Sequence, residues 1–186
     1  MRAAAAVLAL SLAFAACSDD GDEDASETAA VEADGAIEGV EVVRFEEAGN
    51  LHREGEIAYD HLPPAGGLHN PVPARCGFYR EPIPDEHVVH SLEHGAVWLA
   101  YSPDLPEADL DALHEIARAN DETIVTPYED LPDRVAVVAS AWPRQLTLTA
   151  VDDPRLDRFV EQLQDGDQSP EASVACSGVG AGQPIP

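Results

Sequence analysis

The chain has 186 residues, 36 of them acidic against ten basic, for a formal charge of -26, and every basic residue is an arginine. This length suits one globular domain with tails. A surface so acidic repels nucleic-acid phosphates and anionic headgroups, which sets aside nucleic-acid binding and polybasic membrane docking.

Residues 1–16 read as a signal peptide. Met1-Arg2 gives a short positive start, residues 3–14 an apolar run too short to span a bilayer, and Phe14-Ala15-Ala16-Cys17 a small-residue cleavage site. The pattern resembles a bacterial lipoprotein signal. It implies cleavage before Cys17, a diacylglycerol on its sulfur, and an extracytoplasmic product anchored by lipid to the cell membrane; plain secretion is the alternative. Residues 17–38 are dense in acid, Gly and Ala and are expected to be a disordered tether. With Cys17 taken by the anchor, Cys76 and Cys176 remain. In an oxidising compartment they most simply form one disulfide, with two buried thiols as the alternative.

A single globular domain is expected over residues 39–177, with a flexible Gly- and Pro-rich tail over 178–186. Its first third is rich in loops. Short strands are predicted at 42–45 and 56–59, and the Pro63-Pro64-Ala65-Gly66-Gly67 run ahead of His69-Asn70-Pro71 cannot be regular structure. Residues 85–94 are predicted to be helical, with Asp85 as N-cap and Gly95 as terminator. Residues 96–101 are apolar on both faces and predict a central strand. Pro106 opens a helix with Leu110, Leu113, Ile116 and Ala117 on one face. Strands follow at 122–126 and 135–142, with an edge strand at 145–149. Asp153-Pro154 caps a last helix that buries Leu156, Phe159, Val160 and Leu163. This order predicts an α+β fold, a small mixed β-sheet with helices packed on it.

Chemistry concentrates in His87-Val-Val-His90-Ser-Leu-Glu93-His94-Gly95. On a helix, His90 and His94 lie one turn apart on the same face, where two imidazoles can share a metal ion, with Glu93 beside them. Around this run stand His52, Tyr59, Gly67, His69-Asn70-Pro71, Cys76-Gly77-Phe78-Tyr79, Ala141-Trp142, Phe159 and Pro170-Glu171. Taken together, residues 40–171 resemble the bacterial domain-of-unknown-function 3105 family, whose members are often exported or membrane-attached. The resemblance implies no activity, but it ranks the histidines: His52, His69, His90 and His94 stand on family positions, whereas His61, His87 and His114 do not.

Two readings of those four histidines stay open. In the first they hold a divalent ion through His69, His90 and His94, with His52 as fourth ligand and Glu93 orienting an imidazole or acting as acid/base. Met1 leaves with the signal and the cysteines pair, so no soft ligand remains; Zn(II) or Cu(II) fits better than Cu(I). In the second the rings make buried hydrogen bonds that lock the proline loop in a metal-free structural or interaction module of the envelope. A small metal-dependent hydrolase is a third possibility, because His90-x-x-Glu93-His94 matches the zinc-peptidase string H-x-x-E-H, with Glu93 as its only catalytic candidate. Gly95 directly after the second histidine and the small domain weigh against it.

Overall fold

The apolar run at 96–101 sets the architecture. The computed structural model describes residues 36–45, 51–172 and 180–186. The signal peptide, Cys17, nearly all of the acidic tether and Cys176 therefore lie outside the described residues.

Among the described residues of the unit Ile37–Pro186, six strands and three helices follow one another: β1 (Glu41–Val42), β2 (Gly77–Phe78), α1 (Asp85–Glu93), β3 (Val97–Tyr101), α2 (Glu107–Ala119), β4 (Thr123–Pro127), β5 (Val137–Ala141), β6 (Arg144–Leu148) and α3 (Pro154–Leu163). The strands form one mixed sheet in the order β1-β6-β5-β3-β4-β2. β4 runs parallel to both β3 and β2, while β3–β5, β5–β6 and β6–β1 are antiparallel. The fold is α+β.

β3 is covered on both sides because its alternating residues enter two cores. Val97, Leu99 and Tyr101 pack with Leu110 and Leu113 of α2 and Leu156 and Phe159 of α3. Trp98 and Ala100 face the other way, against Val88, Val89 and Leu92 of α1. Those three α1 side chains are fully buried, each contributing roughly 1.5–3 kcal/mol. A helix of nine residues would be marginal alone, so this packing fixes α1 and the polar side chains on its other face.

Several expectations are corrected. Residues 56–59 form no strand. Ile57 turns inward and the Tyr59 hydroxyl donates to Leu68 O at 2.8 Å, so the apolar alternation serves loop packing and finds no ladder partner. β6 is not the sheet edge, since Glu41 and Val42 pair with Gln145 and Arg144; β1 is only these two residues, shorter than predicted. Residues 181 and 185 make backbone hydrogen bonds to the rest of the unit. Ala181 N donates to Pro73 O at 2.8 Å, Ile185 N donates to Phe78 O at 2.9 Å, and Gly182 lies against the Tyr79 ring. Its glycines and prolines prevent regular structure without preventing contacts. At α1, Pro84 rather than Asp85 takes the cap position; Asp85 is the first helical residue and its carboxylate accepts from the Tyr128 hydroxyl at 3.0 Å.

Candidate metal centre

Three remote segments meet over the free face of α1. His52 and His69 form a parallel bridge, with Arg53 N donating to His69 O at 2.8 Å and His69 N to Leu51 O at 3.1 Å. Asn70 N then donates to Glu86 O at 3.0 Å, which ties the proline loop to α1. The ring centroids of His52 and His69 lie 4.7 Å apart, those of His52 and His90 4.9 Å, and those of His69 and His90 also 4.9 Å.

Backbone carbonyls orient two of the rings. His69 Nδ1 lies 2.8 Å from Gly67 O, and His90 Nδ1 lies 2.6 Å from Asn70 O. A carbonyl only accepts, so both Nδ1 atoms carry the proton and both Nε2 atoms present a lone pair. Gly67 reaches its position at φ +104°, where a side chain is disfavoured. That conformation lets its carbonyl face the ring two residues on.

The His69 lone pair meets a carboxylate. His69 Nε2 is 3.0 Å from Glu93 Oε2, both side chains being fully buried. The contact is not a hydrogen bond, and among the described residues His69 Nε2 and both Glu93 oxygens are buried without a hydrogen-bond partner. One ligand atom each from His52, His69, His90 and Glu93 lies within 4.8 Å of all the others. His94 is placed differently. It caps the end of α1, with Nε2 3.1 Å from His90 Nε2 and 3.7 Å from Glu171 Oε2, and it groups with Glu93 and Glu171 rather than with His52 and His69.

Burial governs the protonation of these groups. It pushes His90 down to about 4 and lowers His69 and His94 as well. It also pushes Glu93 up to about 7, aided by the neighbouring Glu171 carboxylate. Desolvation thus disfavours the charged form of His69, His90, His94 and Glu93. A bound divalent cation would reverse that preference for the carboxylate and hold the imidazoles neutral.

A family model described as Protein of unknown function (DUF3105) matches residues 51–178. The chain belongs to that family. No curated protein and no solved structure matches it.

The DUF3105 region therefore contains every residue gathered at this centre. Of the expected ligands, His52, His69 and His90 come together, and His94 stands at their flank. Glu93, expected to orient an imidazole from behind, instead lies among the candidate ligand atoms, and the carbonyls of Gly67 and Asn70 do the orienting. Glu171 is the residue that sequence reasoning missed as part of the site; its only signal is its place in the Pro170-Glu171 pair. The remaining histidines are spent elsewhere: His61 bonds Gln145, His87 bonds Val72 O, and His114 packs on Phe78 with ring centroids 5.0 Å apart. The proline loop also walls a cavity of about 250 Å³ whose lining includes Arg44, Arg53, Tyr59 and Asp60 but none of the candidate ligands.

Proposed function

We propose that this DUF3105 protein is exported, anchored to the bacterial cell membrane by lipid on Cys17, and binds a divalent metal ion through His52, His69, His90 and Glu93. The observation that carries the reading is the pair of unpartnered, buried groups 3.0 Å apart, His69 Nε2 and the Glu93 carboxylate. Two facing lone-pair donors repel unless a proton or a cation lies between them; burial disfavours the imidazolium, and a proton on the Glu93 carboxyl is lost as pH rises through about 7, which leaves a cation as the remaining partner. Neutral imidazoles with a carboxylate suit Zn(II) or Cu(II). The bonds from His69 and His90 to backbone carbonyls are the outer contacts that hold metal ligands in one tautomer and orientation.

A purely structural role for the rings explains the Nδ1 bonds, which do lock the loop to α1, but it leaves Nε2 of His69 and Glu93 without purpose. A hydrolase that uses Glu93 to activate water is disfavoured by that carboxylate's place among the ligand atoms themselves. The supported role is to carry, store or sense the ion. The test is metal analysis of protein purified without a histidine tag, with His69→Ala, His90→Ala and His114→Ala alongside. The first two variants lose the ion and the third keeps it; equal metal content in all three would overturn the proposal.

A further inference from the structure

The ligands described so far form an inner set, and a second set shares its carboxylate. Glu93, His94 and Glu171 each offer an atom within 4.8 Å of the others, as do His52, His69, His90 and Glu93. His94 does not join the inner set, although its Nε2 is only 3.1 Å from His90 Nε2. Two ligands on one ion with bonds of roughly 2.0–2.2 Å cannot stand more than about 4.4 Å apart, so one ion does not use all six side chains in this arrangement.

We infer that the centre holds two divalent ions, an inner one on His52, His69, His90 and Glu93 and an outer one on His94 and Glu171, with the Glu93 carboxylate bridging them. The second observation behind this is Glu93 itself: fully buried, with both oxygens and not merely one lacking a hydrogen bond. A single ion bound through one oxygen would leave the other oxygen's desolvation uncompensated. A bridging carboxylate uses both, and carboxylate-bridged pairs stand roughly 3.5–4 Å apart.

The sets differ in exposure, which orders their affinities. His69, His90 and Glu93 are buried and only His52 of the inner set is exposed, whereas the His94 and Glu171 side chains are 12% and 49% exposed. The outer ion has fewer protein ligands and keeps positions open to solvent, so it binds second and more weakly. Glu171 is held near Glu93 by its own backbone, its N–H donating to Glu93 O at 3.0 Å. That bond survives a change of side chain.

This inference rests on the inner site proposed above, and the test separates the two. Co(II) is titrated into the untagged, metal-free full chain, following both heat and visible absorption. Two events per chain are expected, tight then weak, with Glu171→Gln losing the weak event while the tight one stays within about threefold. Glu171 is half-exposed, so an unchanged melting temperature of the metal-free variant confirms its fold. One event in both proteins, or two in both, overturns the outer site and leaves the inner one standing. No event in either overturns both.

Discussion

Replacing Glu93 by glutamine should move stability and metal affinity in opposite directions. At pH 8 the Glu93 carboxyl, pushed up to about 7, is mainly ionised. The metal-free protein then buries a charge 3.0 Å from the lone pair on His69 Nε2. The glutamine amide is nearly the same shape and supplies an N–H where that lone pair has no donor. Satisfying a buried acceptor is worth roughly 1–3 kcal/mol, and removing the buried charge acts in the same sense. For a domain of this size the metal-free melting temperature should rise by about 3–9 °C. The same substitution removes the only anionic ligand of the inner set, so Zn(II) affinity should fall by at least about 100-fold, roughly 2.8 kcal/mol. Calorimetric melting of metal-free protein and a Zn(II) titration measure both quantities. A variant that melts lower without metal, yet binds Zn(II) as tightly as its parent, would show that Glu93 is a structural partner of His69 and not a ligand.

Gly67→Ala forces a side chain into φ +104° and shifts the carbonyl that orients His69; it should cost roughly 1–2 kcal/mol in urea unfolding and weaken Zn(II) binding as well. Asp85 supplies a pH signature away from the centre. Burial raises it from 3.8 to about 6, so the folded state holds this proton more tightly than the unfolded chain. Its contribution is most favourable below about pH 4 and is lost as pH rises through about 6, by up to ~3 kcal/mol. Asp85→Asn, which keeps an acceptor for Tyr128, should flatten that dependence in urea titrations at pH 5 and pH 8. If Cys76 and Cys176 are bridged, Cys176→Ser should destabilise the domain by roughly 2–5 kcal/mol, and reductant should lower the parent's melting temperature but not the variant's.

The helices and central strands were legible because their signals are local. Leu110, Leu113 and Ala117 recur at helical spacing, Asp153 accepts from Arg155 N at 2.9 Å as an N-cap does, and the doubly apolar run became β3. The first third was not legible in the same way. Whether residues 56–59 pair with another strand depends on what lies beside them, and neighbours across the fold leave no periodicity in the sequence. The site divides along the same line. His90 and Glu93 share one face of a short helix and could be read together, and His52 and His69 were recognisable only through family resemblance. The contact between His94 and Glu171 depends on how residues 165–171 cross the end of α1, where Asp165 N donates to Gly95 O at 2.8 Å. No spacing rule anticipates that crossing.

The bridge between His52 and His69 lies where the chain has almost no regular structure. An ion drawing on residues 52, 69, 90 and 93 would act there as a cross-link, fastening irregular backbone to a helix that the sheet already holds. Occupancy would then set how far that region opens: an ion at a hundred times its dissociation constant adds about 2.7 kcal/mol to unfolding. Amide exchange across residues 51–70 should slow on loading while β3 and β5 change least. Proteases would meet a chain whose resistance to cleavage tracks the supply of metal.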